Sequence, residues 1–228
     1  MDDETIGITR FCVHPSGWYQ SKTRIGGTKD LHLDKIKALQ PDFVIASKEE
    51  NIREQVEEIR KFCPVWTSDV ANLHDALEMI REISRLTGRG EQGMRLTEEI
   101  DESLNRVFEE YNTISAAYLI WKDPYMTVGG DTFIHDMMRI CGLKNVFEHT
   151  HRYPEVTVEE IKERSPRVLL LSSEPYPFRE EQIHTLSAQL PATKVLLADG
   201  EMFSWYGSRL LHSGAYFRAL RKQFQEGF

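Results

Sequence analysis

Cysteine is scarce in this sequence: Cys12, Cys63 and Cys141 are the 3 in 228 residues, far apart and without a C-x-x-C pair. An odd, sparse set builds no disulfide framework and has no zinc-ligand spacing, so these residues are expected to be buried apolar thiols. Basic charge is also short. The formal net charge is −8 and no basic stripe exists to displace counterions, which excludes nucleic acid as a partner. No apolar run is long enough to span a bilayer, so membrane insertion is not expected. Met1-Asp2-Asp3-Glu4 has neither a basic n-region nor an apolar h-region, and no secretory signal is read there.

Catalytic signatures are missing as well. No serine lies in a G-x-S-x-G elbow, so acyl transfer has no support. Gly26-Gly27 and Gly129-Gly130 fit neither phosphate-binding pattern and read as turn glycines. His149 and His151 are the one close histidine pair, and a third ligand at sensible spacing is wanting. They read as a solvated loop, and His14, beside Cys12, as a structural or pocket-edge residue. No catalytic residue, metal site or resident cofactor is expected.

What is present is an alternation of strands and helices in a chain that is 40% hydrophobic and 28% charged, long enough for two lobes. Thr5–Cys12 reads as a strand, followed by a loop holding Trp18 and Tyr19. Leu33–Leu39 is helical, Phe43–Ala46 is a fully apolar buried strand, and Asn51 is placed to cap a helix running to Phe62. Val65–Thr67 opens another strand.

Two longer helices follow: Leu73–Leu86, closed by Gly88, and Gln92–Tyr111, with Leu96, Ile100, Leu104, Val107 and Phe108 on one face. The second spans about 30 Å, roughly a domain diameter, and fits either a rigid connector or a helix packed on one sheet.

The α/β pattern then restarts with strands at Ala116–Trp121, Val168–Ser172 and Lys194–Ala198. Helices are read over Phe133–Cys141, Val158–Arg164, Glu180–Gln189 and Ser208–Phe224. The fold class is α/β, with two Rossmann-like lobes of mostly parallel sheet. The limits are 1–88 for the N-terminal lobe, 89–113 for the helix and 114–228 for the C-terminal lobe. All four tryptophans, Trp18, Trp66, Trp121 and Trp205, fall at or beside strand ends, where open α/β sheets bind ligands. Aromatic surfaces with a few polar groups suit a large planar ligand.

Five stretches carry a resemblance to a family: GITRFCVHP at 7–15, RIGGTKDLHLDKIKALQPDFVIASKEEN at 24–51, PVWTSDV at 64–70, VEEIKERSPRVLLLSSEPYPF at 158–178 and ADGEMFSWYGSR at 198–209. Together they resemble the helical-backbone periplasmic binding proteins of ABC importers, which carry cobalamin, haem and iron–siderophores. The cobalamin branch is the most similar. The resemblance implies two lobes joined by one backbone helix, no enzymatic activity, a monomer, and a metal chelate held in the cleft between the lobes for delivery to a membrane permease. Cobalamin is the expected ligand, with haem or an iron–siderophore as the other chelates.

By motif position one wall would be Trp18, Tyr19, Gly26, Gly27, Ser47 and Trp66. The other would be Trp121, Tyr153, Tyr176, Glu201, Trp205 and Arg209. Glu54 and Glu159, each early in a helix where a carboxylate is favoured, would dock on the transporter, with Arg53 in the aligned column of the first. Family members usually begin with a signal and an "RIVSLxPSxTE" β-α unit. Neither is read here, so the N-terminal lobe is expected to be incomplete and the periplasmic location follows from resemblance alone. The readings from other classes are a chelatase-like or corrinoid-processing metalloenzyme and a cytoplasmic corrinoid sensor.

Overall fold

Apolar runs of four or five residues between amphipathic helices specify parallel strands covered by helices. A computed structural model, which describes residues 3–109 and 112–225, forms two units: Met1–Asp69 and Val70–Phe228.

In the first unit β1 (Gly7–Ile8) pairs in parallel with β2 (Thr23–Arg24), and α1 (Ser16–Ser21) lies between them. Then come α2 (Leu33–Leu39), β3 (Val44–Ser47), α3 (Arg53–Arg60) and β4 (Val65–Ser68). Strands β3 and β4 pair in parallel with Ile45 opposite Trp66. Ile36, Ile59 and Cys63 form a small buried core, with Val44 and Val65 packed against it.

Four readings change here. The strand expected over Thr5–Cys12 shrinks to Gly7–Ile8. The loop with Trp18 and Tyr19 is a short helix, opened by Pro15, whose fixed φ suits a helix start. Asn51 is not the cap of α3, which Ile52 holds. Its amide accepts the Ser47 N–H (2.8 Å) and donates to the Thr28 carbonyl (3.0 Å), so it ties two loops together instead. Cys12 is also only half-buried, while Cys63 and Cys141 are buried as expected.

The second unit runs α4 (Leu73–Leu86), α5 (Gly90–Glu109), β5 (Ile114–Trp121), β6 (Met126–Thr127), α6 (Phe133–Ile140), β7 (Leu143–Asn145) and α7 (Val158–Arg164). It continues through β8 (Val168–Ser172), α8 (Glu180–Gln189), β9 (Lys194–Ala198), α9 (Glu201–Ser204) and α10 (Leu210–Gln225). The sheet order is β6-β5-β8-β9, with β7 also on β5; β6 is antiparallel and the rest parallel. Alternation along each strand divides the core. Ala116, Tyr118, Ile120 and Leu170 face one cluster. Ala117, Leu119, Leu169 and Leu171 face the other. Each such leucine contributes about 1.5–3 kcal/mol by leaving water.

The division at 69/70 differs from the one read at 88. Ala76, Leu77 and Ile80 of α4, and Ile100, Leu104 and Val107 of α5, lie in the same cluster as the β5 and β8 residues. Both helices therefore belong to the second unit; residues 110–111 of the expected helix fall outside the described part. The contacts of α5 are close at two glycines. A Cβ on Gly93 would stand 2.0 Å from Ser84 Oγ of α4, and one on Gly214 of α10 would stand 2.2 Å from Ser103 Oγ of α5. Only hydrogen fits at either place. Arg221 of α10 is 2% exposed. It donates to the Cys141, Gly142 and Asn112 carbonyls at 3.0, 2.7 and 2.6 Å, satisfying the end of α6.

Candidate ligand-binding surface at the strand ends

The carboxyl ends of β5, β8 and β9 leave the sheet side by side, and most of the expected C-terminal wall grows from them. Trp121, the last residue of β5, is 40% exposed. Its ring meets Tyr176 edge-on at 5.8 Å, and Tyr176 in turn meets buried Phe178 at 4.7 Å. Edge-to-face rings at these spacings attract beyond their buried area, so the exposed tryptophan rests on a fixed base.

The β8 and β9 loops are laced by hydrogen bonds. Buried Tyr118 and Ser172 share one at 3.1 Å, and Ser172 donates to the Glu174 carbonyl at 2.5 Å. Ser173 Oγ accepts the Gly200 N–H (2.9 Å), and the Tyr216 hydroxyl accepts the Asp199 N–H (2.7 Å). Burial pushes Tyr216 up to about 12 and raises Tyr118 far above its ordinary value, so both remain neutral hydroxyls. The Glu174 carboxylate, through Oε1, accepts from Ser204 Oγ at 2.6 Å and Trp205 Nε1 at 2.7 Å. Glu201 and Arg209, both half-buried, form an ion pair, and Arg209 Nε is buried without a hydrogen-bond partner among the described residues.

Trp121, Tyr176, Glu201, Trp205 and Arg209 thus gather around three neighbouring strand ends. Tyr153 stands on a different loop, the one running beside β6, where the Thr127 N–H donates to the Pro154 carbonyl. Its half-buried ring lies under the Arg152 guanidinium at 5.3 Å and packs on the larger core cluster, as does Tyr206.

In the first unit Trp18 and Tyr19 share α1, and the Arg24 guanidinium sits 4.4 Å from the Tyr19 ring centre. Gly26 and Gly27 are buried in a turn clamped by the Arg10–Asp30 ion pair at 2.9 Å. Gly26 has φ +108°, and a Cβ on Gly27 would stand 2.2 Å from Asp30 Oδ1. Their identity is therefore explained by the turn itself. Ser47 and Trp66 belong to the β3–β4 pair, and Ser47 Oγ accepts the Glu50 N–H at 3.4 Å.

Glu54 and Glu159 are exposed in the first turns of α3 and α7, and a Thr157–Glu160 capping box opens α7. His149 lies 3.7 Å from Glu148 and His151 3.6 Å from Asp131. Hydrogen bonding from the Arg152 backbone lowers the Asp131 carboxyl below its ordinary value. Among the described residues no group of three or more His, Cys, Asp or Glu is placed to hold a metal, and no helix is long and apolar enough to cross a membrane.

Glu174 is the residue that motif reading missed. It sits inside the quoted SSEPYPF stretch, but its partners lie 30 and 31 residues further on, and no spacing rule connects them.

Three kinds of likeness accompany this geometry. A family model described as periplasmic binding protein matches residues 2–195. A vitamin B12-binding protein of Vibrio parahaemolyticus is 27% identical over 177 residues, which is 75% of this chain and 64% of that protein. The chain thus spans 64% of that relative's length. One of Pectobacterium carotovorum is 22% identical over 92% of this chain and 78% of its own. Among solved structures, the periplasmic vitamin B12-binding protein BtuF of Vibrio cholerae superposes with a TM-score of 0.82 at 18% identity, covering 97% of this chain and 89% of its own. A periplasmic haem-binding protein, BhuT, in complex with two haems gives 0.80 at 17% identity, covering 97% and 88%. At such identities the superpositions speak for the fold.

Proposed function

The chain belongs to the periplasmic binding protein family, and from that premise we propose that it is the substrate-binding component of an ABC importer for a metal-chelate nutrient, with cobalamin as its ligand. The observation that supports this most is the cluster at the ends of β5, β8 and β9, where Trp121 on Tyr176 and Trp205 on Glu174 offer indole surfaces beside one neutralised ion pair. Large aromatic surfaces supply affinity for a broad planar ligand, and hydrogen-bonding side chains at the rim fix its amide fringe. The vitamin B12-binding names of the relatives point to the same chelate.

Trp18, Tyr19, Gly26, Gly27, Ser47 and Trp66 of the first unit, and Tyr153 of the second, enter the proposal through the family resemblance. Glu54 and Glu159, exposed at two helix starts, are proposed to meet the permease, with the protein working as a monomer in the periplasm. No covalent step and no resident cofactor belong to this reading.

Cyanocobalamin at a hundred times its Kd stabilises a folded binder by about 2.7 kcal/mol, which a melting curve reads directly. A visible-absorption change should accompany it. Trp121→Ala and Trp205→Ala should each abolish that change, and Cys63→Ser should leave it. Absence of any thermal shift with cyanocobalamin, haemin and a ferric siderophore at saturation would overturn the proposal. A shift with haemin alone would keep the family role and replace the ligand.

A further inference from the structure

We propose that Glu174 is a positioning residue that fixes the indole of Trp205 as a stacking face and removes its N–H from ligand recognition. Trp205 is half-buried at the end of the four-residue helix α9, with no long element of its own to hold it. An indole has several staggered rotamers about Cα–Cβ, and its contacts select among them. One such contact comes from another strand end. Glu174, two residues beyond β8, accepts the indole N–H at 2.7 Å, and the same oxygen accepts the Ser204 hydroxyl at 2.6 Å.

Both bonds go to a charged acceptor, the stronger class of hydrogen bond. The carboxylate is itself held at its root, because Ser172 Oγ donates to the Glu174 carbonyl at 2.5 Å and buried Tyr118 bonds that hydroxyl at 3.1 Å. A chain of contacts therefore runs from the sheet interior to the indole. Ordering the ring before a ligand arrives lowers the entropy that binding would otherwise cost. The inference deepens the proposed function and rests on it for the ligand: with its one donor engaged, Trp205 recognises a π-face or apolar edge and not an acceptor atom.

The experiment separates the two claims. With Trp18, Trp66 and Trp121 changed to Phe, the fluorescence of Trp205 is followed alone. Glu174→Leu should shorten its anisotropy decay in the free protein, and Glu174→Gln, which keeps an acceptor oxygen, should restore part of the restraint. This readout needs no ligand.

In the otherwise native protein Glu174→Leu should weaken cyanocobalamin binding about tenfold, the scale of one charge-assisted hydrogen bond. The same substitution in a Trp205→Phe background should add little. Trp205→Phe alone, which keeps a ring and loses the N–H, should also bind about tenfold more weakly. It carries the test if Glu174→Leu does not fold. An unchanged anisotropy decay in Glu174→Leu, an equal loss in both backgrounds, or native affinity in Trp205→Phe would each overturn the inference. Failure of the wild type to bind cyanocobalamin would instead sink the ligand assignment, with the anisotropy result still deciding the role of Glu174.

Discussion

The two units are made from the same kinds of strand and helix, yet they differ in how completely their sheets are covered. In the second, residues 168–171 of β8 are 0% exposed, with one core cluster on each face of the sheet. In the first, parallel β3 has Val44 turned toward a core of three buried residues. Ile45, its neighbour, is 45% exposed, and Phe43 is 37% exposed. Parallel strands are normally apolar because both faces are covered. The second unit meets that condition with its own helices; the first has covered one face. Stability should be distributed accordingly, with the second unit holding most of it.

Three substitutions test that contrast, in falling order of effect. Phe203 is fully buried and its ring touches those of Tyr118, Tyr216 and Phe217. Phe203→Ala should cost about 3–5 kcal/mol in denaturant unfolding. Ile59→Ala, at the centre of the small first core, should cost about 2 kcal/mol, the low end for such a truncation, because a half-open core collapses more easily around a lost side chain. Equal costs at the two sites would break the comparison and make the first unit as tightly packed as the second. Ile45→Thr should change stability by less than about 0.5 kcal/mol, as for a surface site. A loss several times larger would show that the open face of β3 is covered in solution.

Much of the second unit was legible in the sequence because its signals are local. Val168–Ser172, Lys194–Ala198, Val158–Arg164 and Glu180–Gln189 have the limits read from apolar runs and helical spacing. Elements with little local pattern escaped. Helix α1 is SGWYQS with no buried residue, α9 has four residues, and β7 has three. The unit boundary also escaped, for a different reason. An apolar stripe on α4 shows that the helix packs, but not which sheet it packs on, and Asp69-Val70 carries no glycine or proline to mark a break.

The aromatic residues of the strand-end surface were visible by type. Glu174 was not, because its value lies in a contact between two loops that only the sheet brings together. Asn51 was seen and misplaced: an asparagine before a helix suggests a cap, and here its amide is used across to Thr28.

Gly93 and Gly214 give α5 a mechanical character. Each marks a close contact with a neighbouring helix, one toward either end of α5: the Ser84 side chain of α4 lies over Gly93, and the Ser103 side chain and carbonyl of α5 lie over Gly214 of α10. Rotation of α5 by one residue, about 100°, would drive a side chain into Ser84, and a slide along its axis would carry Ser103 off the notch at Gly214. The helix behaves as a splined shaft: torque and thrust applied to it pass straight to α4 and α10, with no slip between them.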